Sequence, residues 1–205
     1  MKLLVLNKLL TGGEWQLVDT CGDCHVYLLQ GQTSSGRLLV LPTTSTASVP
    51  VGTYQSIIRF GRQRHTVKPW IDSLIRRGTV KVILEKDVNL FWGRIEVPGF
   101  SATLQGSGPD DIIARFRVLL RNLISEDDTT RQLDQLVYQP VYDLTATWQL
   151  FREIKTGYLG DLSGLDQDTL AQFMNGKAYP SAEQAQRLET ALQELGRQLL
   201  QLSIR

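Results

Sequence analysis

The chain has 205 residues, of which 42% are apolar and 21% are charged, so it can form packed cores and is not a disordered polypeptide. Lys and Arg number 22 against 21 Asp and Glu, and a net charge of +1 excludes a strong global attraction to nucleic acid or membrane. At roughly 100–200 residues per domain, the length allows two or three small modules. No apolar stretch reaches the length of a membrane span and no signal-peptide core is present, so we expect a cytoplasmic protein with both cysteines reduced.

The first sixty residues follow a pattern typical of a small α/β module. Apolar residues in 3–10 share one helical face, and three runs rich in strand-forming residues follow at 15–19, 25–30 and 37–41. A second helix begins after Pro50. The predicted order is α-β-β-β-α.

A basic connector at 64–78, interrupted by Pro69, marks a predicted boundary. Strands are predicted beyond it at 79–84, 90–97 and 100–104, and Pro109 stands at the favoured first position of a helix. The polar segment 125–135 is predicted to be a loop, and a further strand is expected at 136–141.

The last segment, 142–205, is helical in pattern, with a glycine turn at Ser163-Gly164 and a helix that starts from Asp166 and ends at 175–177. Its final helix has an apolar stripe at heptad spacing, which either packs on its own domain or forms a dimer seam. The stripe consists of Ala185, Leu188, Leu192, Leu195, Leu199 and Leu202.

Residues 165–181, with Asn175-Gly176-Lys177 and Pro180-Ser181, resemble the recognition helix and following turn of phage-repressor-like helix-turn-helix proteins. Such a helix enters the major groove of DNA, where its exposed polar side chains contact base edges. The resemblance implies base contacts from Gln167, Thr169 and Gln172, and backbone contacts from Lys177, Tyr179 and Ser181. The alternative is a plain helical bundle, since Asp168 would face an anionic groove. With few basic residues, one such domain would bind weakly, so we expect a homodimer or higher homo-oligomer.

The string Cys21-Gly22-Asp23-Cys24-His25 formally matches a c-type haem attachment pattern. We do not expect haem, because its attachment requires export and a second axial ligand is unassigned. We do not expect zinc either, because only His65 remains to complete a tetrahedral site. The sequence therefore predicts no cofactor and no metal.

The segments 7–10, 15–18, 22–27, 38–42 and 50–58 resemble the HicA toxin family in order and spacing, across its full short length. In that family a Gly-Ser-x-His element places a catalytic histidine on a strand of a dsRBD-like (double-stranded-RNA-binding-like) fold; here Asp23 replaces the serine. The resemblance implies a metal-independent endoribonuclease with His25 as its catalytic residue and Gly22 beside the RNA.

An imidazole with an unperturbed pKa of about 6.5 can exchange protons with a ribose 2′-hydroxyl or a leaving 5′-oxygen. Arg59 and Arg62 would supply positive charge for RNA. The alternative is a half-buried strand histidine without chemistry.

Residues 80–104 and the helix from Pro109, with the motifs at 92–102 and Gly106-Ser107-Gly108, resemble the HicB antitoxin core. That family has a partial RNase-H-like sheet with a helix that covers the toxin's active site, and a C-terminal domain that binds the operon's promoter. Asp87, Glu96 and Asp110 do not form a recognisable metal-binding set, so no catalysis is expected here.

Together the patterns predict an α+β protein with a HicA-like module (1–63), a connector (64–78), a HicB-like core (79–141) and a helix-turn-helix domain (142–205). The predicted function is that of a single-chain toxin–antitoxin-like protein, in which an RNA-cleaving module is masked and the C-terminal domain represses its own promoter. One alternative is a DNA-binding regulator with an inactive toxin-like module. Another is a small-ligand sensor with a DNA-binding output.

Overall fold

The computed structural model describes residues 6, 10, 15–29, 37–43, 48–62, 70–88, 90–124, 127–150, 154 and 156–201. It confirms the α+β class, and none of the helices in this described part is long and apolar enough to span a membrane. The chain divides into two compact units, Met1–Pro140 and Val141–Arg205.

The strands are β1 (Trp15–Cys21), β2 (Cys24–Leu29), β3 (Arg37–Pro42), β4 (Thr79–Lys86), β5 (Phe91–Val97), β6 (Phe100–Gly106) and β7 (Val137–Tyr142). The helices up to β7 are α1 (Val51–Arg62), α2 (Trp70–Arg77), α3 (Pro109–Asn122) and α4 (Asp127–Asp134). The helices after β7 are α5 (Thr145–Leu150), α6 (Thr156–Ser163), α7 (Gln167–Met174) and α8 (Ala182–Gln201).

The seven strands form one mixed sheet in the order β1-β2-β3-β6-β5-β4-β7. Strands β3 and β6 are parallel, with Leu38, Leu39 and Val40 opposite Phe100, Ser101 and Ala102. Strands from residues 1–63 and from residues 79–141 therefore share one sheet, and the short β3–β6 ladder joins the two segments. The predicted boundary at 64–78 stays a prediction, because two modules can also share a sheet through their edge strands.

Helices pack on both faces of this sheet. On one face, Ile57 and Phe60 of α1 join a core that contains Tyr27 and Leu41. On the other face, a Cβ on Gly93 would lie 2.2 Å from a side-chain carbon of α3, so helix and strand are in direct contact there. The described residues of the predicted first helix, Leu6 and Leu10, are helical and belong to the first core; the rest of that helix lies outside the described residues.

A buried carboxylate fixes the start of α1. Glu85 of β4 is 1% exposed and accepts hydrogen bonds from the backbone N–H groups of Gly52 (2.9 Å) and Thr53 (2.7 Å) and from the Thr53 hydroxyl (2.8 Å). These N–H groups have no partner within the helix, and they attract negative charge. Arg94, also 1% exposed, lies 3.8 Å from Glu85 and 2.6 Å from Glu96. Helix α1 is thus capped by a side chain of β4, which lies in a distant part of the chain.

The second unit contains α5 to α8 around a core of Trp148, Leu159, Leu170, Phe173, Leu188 and Ala191. Gly164 has a φ of +67° and ends α6, and Asp166 is the N-cap of α7 as predicted. A Cβ on Gly160 would lie 2.9 Å from the carbonyl oxygen of Leu165, so α6 lies very close to the chain that leads into α7. In the α8 stripe, Leu188 is buried and Leu199 is 58% exposed; Leu202 lies outside the described residues.

One predicted loop is wrong. Residues 125–135 contain helix α4, in which Leu133 is buried while Asp134 pairs with Arg121 of α3 at 2.7 Å. The segment has few apolar residues, so the helical pattern was too weak to detect. The strand predicted at 136–141 corresponds to β7.

Candidate functional site

His25 lies on β2, opposite Thr20 of β1 and Leu41 of β3. Its ring is half-buried and stacks on Tyr27, with centroids 6.1 Å apart and planes 18° apart. The Nδ1 atom is buried and has no hydrogen-bond partner among the described residues. Four other buried side-chain atoms of the described residues, among them Nε1 of Trp92 and Nε1 of Trp148, also lack a partner, so this feature by itself does not distinguish His25.

The turn before His25 is fixed by Gly22, whose φ of +62° favours glycine. The Asp23 carboxylate lies 3.2 Å from Arg115 of α3 and 3.6 Å from the Sγ atom of Cys24. Neighbouring strand residues point to opposite faces, so the Cys24 thiol is on the face opposite the His25 ring. The HicB-like segment thus contacts the Gly-Asp-Cys-His element through the Asp23–Arg115 ion pair.

Two arginines were predicted to contact RNA. Arg59 is half-exposed and lies 3.3 Å from Glu96, which offsets part of its charge. Arg62 is in the last turn of α1, and its side chain lies outside the described residues. The described contacts do not bring Arg59 and His25 together.

The predicted base-reading residues lie on α7. Leu170 and Phe173 face the core, while Gln167 and Gln172 are exposed. Thr169 has a local role, because its hydroxyl donates to Asp166 at 2.6 Å and its backbone N–H donates to the same carboxylate at 2.7 Å. These two bonds lower the pKa of Asp166 below its usual value. The cap by Asp166 was predicted, but Thr169 was assigned to base contacts; the Asp-x-x-Thr spacing would have indicated its part in the cap.

The predicted backbone-contacting residues follow α7. Lys177 is exposed, whereas Tyr179 and Ser181 are half-buried. Ser181 and Gln184 cap α8 reciprocally, with N–H to side-chain bonds of 3.0 and 3.3 Å. Ser181 therefore orients the start of α8, while the Lys177 ammonium faces solvent.

The second unit has an acidic balance. Residues 141–205 contain six Lys or Arg and eight Asp or Glu, a formal net charge of −2. Two of these cations are in local pairs, Arg187 with Glu183 at 2.6 Å and Arg197 with Glu194 at 2.5 Å. Phosphate neutralisation by one copy would therefore be small.

A cavity of about 320 Å³ lies between the β1–β2 turn and α3, and the sequence did not indicate it. The turn 21–24 and Leu104 form one side, and Arg115, Val118 and Asn122 are among the residues of the other. Within the described part of the chain, no group of three or more His, Cys, Asp or Glu side chains could hold a metal ion.

Comparison with known proteins finds no protein-family model, curated protein or solved structure that matches this chain. The resemblances to HicA, HicB and phage-repressor-like proteins therefore stay predictions, which depend on the residues quoted for them.

Proposed function

We propose that this protein is a DNA-binding transcriptional regulator that represses its own promoter through residues 142–205, which form a helix-turn-helix domain. The observation that supports this most is the α6–turn–α7 arrangement. Two short helices meet at Gly160 and Gly164, and α7 buries Leu170 and Phe173 while it exposes Gln167 and Gln172. In a helix-turn-helix the second helix presents polar side chains to the major groove, and the exposed glutamines of α7 are compatible with that use.

The exposed amides suit adenine, because a glutamine can bond N6 and N7 of that base together. Lys177 would contact a phosphate at the end of α7. A net charge of −2 makes the affinity of one copy low, so the proposal includes a homodimer on a two-fold symmetric operator. The exposed Leu199 and Leu200 of α8, at 58% and 90%, are candidate contacts between the two copies.

A reporter gene under the control of the DNA upstream of this protein's own coding region tests the proposal in cells. Repression should fall with Gln172→Ala, since loss of a bidentate base contact costs about 1–3 kcal/mol. Gln193→Ala is the matched control, because Gln193 is an exposed glutamine on α8. Equal repression by the two variants, or no repression by the natural chain, contradicts the proposal.

A second candidate function is ribonuclease activity of the HicA-like segment. It rests on the position of the half-buried His25 ring on β2, one residue after Cys24 at the end of the Gly22-Asp23 turn. In the intact chain this segment shares a sheet with the HicB-like segment and is capped by Glu85, and a tethered inhibitor acts at high effective concentration. The proposed ribonuclease is therefore masked, and activity should appear only when the two segments separate.

This second candidate is tested with a specific protease site placed between residues 63 and 70. RNA cleavage is measured before and after cutting, and after mild denaturant has separated the fragments. The account predicts cleavage only by the separated fragments, lost in His25→Ala and kept in His65→Ala, the other histidine of the chain. No cleavage at any stage would leave a DNA-binding regulator with an inactive toxin-like module.

A further inference from the structure

Cys21 and Cys24 occupy partnered positions on either side of the Gly22-Asp23 turn. Antiparallel partners have Cα atoms about 4.5–5.5 Å apart, and disulfides span Cα distances of about 4.4–6.8 Å. Residues directly opposite each other in a sheet also point to the same face. In agreement, both cysteines line the cavity between the turn and α3. The two thiols are thus placed for a bond that needs little backbone movement.

We propose that Cys21 and Cys24 form a reversible dithiol–disulfide redox site, and that its oxidant is a small hydroperoxide that enters through the cavity. The cavity, at about 320 Å³, has room for such a molecule beside both sulfur atoms. Arg115, which is 44% exposed and forms ion pairs with Asp23 and Asp111, lines it as well.

The two thiols differ in environment, which assigns their roles. Cys24 is buried and Cys21 is half-buried. Burial, with a smaller contribution from the Asp23 charge, raises the pKa of Cys24 to about 12, so this thiol stays protonated at neutral pH. Cys21 is therefore the thiol that attacks the peroxide. Cys24 is the thiol that resolves the product, and Asp23 accepts its S–H at 3.6 Å.

With hydrogen peroxide as the hydroperoxide, the chemistry balances in two steps. The Cys21 thiolate attacks one peroxide oxygen, an S–O bond forms, the O–O bond breaks, and the departing hydroxide takes a proton to become water. Cys24 then attacks the Cys21 sulfur, and in the same step its proton passes through the Asp23 carboxylate to the departing hydroxide. An S–S bond forms, the S–O bond breaks, and the second hydroxide becomes water with that proton. Two thiols have lost two hydrogens, and one peroxide has become two waters.

The test uses the full chain and hydrogen peroxide. After peroxide is removed, thiols are labelled with N-ethylmaleimide in denaturant and the intact mass is measured. The reduced chain should take two labels. The oxidised chain should take none and be lighter by two hydrogens, with a Cys21–Cys24 link in its peptide map, and dithiothreitol should restore both labels. The proposal is overturned if the chain still takes two labels after peroxide treatment, if oxygen is added to Cys21 without a disulfide, or if disulfides form only between two chains.

The role of Asp23 is tested by the rate of disulfide formation against pH. Asp23→Asn should slow the formation of the disulfide several-fold and change its pH profile, because the proton acceptor beside Cys24 is lost. Asp19→Asn is the matched control, since Asp19 lies on β1 with Cys21 and its carboxylate accepts a local hydrogen bond from the N–H of Thr20. An unchanged pH profile in Asp23→Asn would remove Asp23 from the proposal, and disulfide formation in Cys21→Ser or Cys24→Ser would overturn it.

Discussion

Replacement of Glu85 by alanine should destabilise the first unit strongly. The side chain is 1% exposed, and its carboxylate accepts three hydrogen bonds of 2.7 to 2.9 Å at the start of α1. Its removal leaves the N–H groups of Gly52 and Thr53 without their acceptor and leaves Arg94 with Glu96 as its carboxylate partner. Breaking a buried ion pair from one side costs about 3–5 kcal/mol.

We therefore expect Glu85→Ala to lower the free energy of unfolding by about 3–5 kcal/mol, a large part of the roughly 5–15 kcal/mol that folded domains have. Glu85→Gln keeps one acceptor oxygen and should cost less, about 1–3 kcal/mol. The physical reason is that an unpaired buried donor loses its bonds to water and gains none in the protein.

Urea denaturation of the full chain, followed by tryptophan emission, measures these changes. Trp15, Trp70 and Trp92 belong to the first unit and report on it. Asp134→Ala is the control, because Asp134 is 41% exposed and its ion pair with Arg121 is at the surface, where such pairs contribute about 0–1 kcal/mol. If Glu85→Ala costs no more than Asp134→Ala, the capping argument is refuted.

Three further predictions concern two glycines, the pH dependence of stability and the salt dependence of DNA binding. Gly160→Ala should destabilise the second unit by about 1–3 kcal/mol, because its Cβ would lie 2.9 Å from a backbone oxygen. Gly196→Ala, in open space within α8, should stabilise this unit by about 0.5–1 kcal/mol, and thermal unfolding of both variants checks the two values. The pKa of Cys24 is about 12 in the native state against 9.0 for an ordinary cysteine, so between these pH values the native state binds more protons than the unfolded state. The free energy of unfolding should therefore fall as pH rises from 9.0. Urea titrations at several pH values should show a smaller fall in Cys24→Ala. Lys177→Ala should reduce the slope of log affinity for DNA against log salt by about 1 per copy, and Lys81→Ala, an exposed lysine of β4, should leave it unchanged.

Local sequence patterns were enough to predict most strands, α3 and the cap of α7. They could not predict that β3 pairs with β6, because a ladder of three partnered positions between distant segments has no local signal. Glu85 illustrates the same limit. It lies within a strand next to Leu84, and only the position of α1 explains why a carboxylate is buried there.

The candidate site was predictable in part. The sequence predicts His25 as a candidate site residue, and the structure places its half-buried ring on β2. The ion pair between Asp23 and Arg115 joins residues far apart in the chain and could not have been found. The pairing of Cys21 with Cys24 could have been predicted from the sequence, because Gly-Asp between two strands is a typical two-residue hairpin turn.

Binding of the full chain to DNA tests whether this protein recognises its own promoter. Fluorescence anisotropy is measured with the DNA upstream of this protein's own coding region, with unrelated DNA of equal length and composition as competitor, at a fixed salt concentration. We expect the upstream DNA to bind at least about a thousandfold tighter than the competitor, and Gln172→Ala to lower this ratio. Equal affinity for the two DNAs, or no binding at low salt, would show that the protein does not recognise its own promoter.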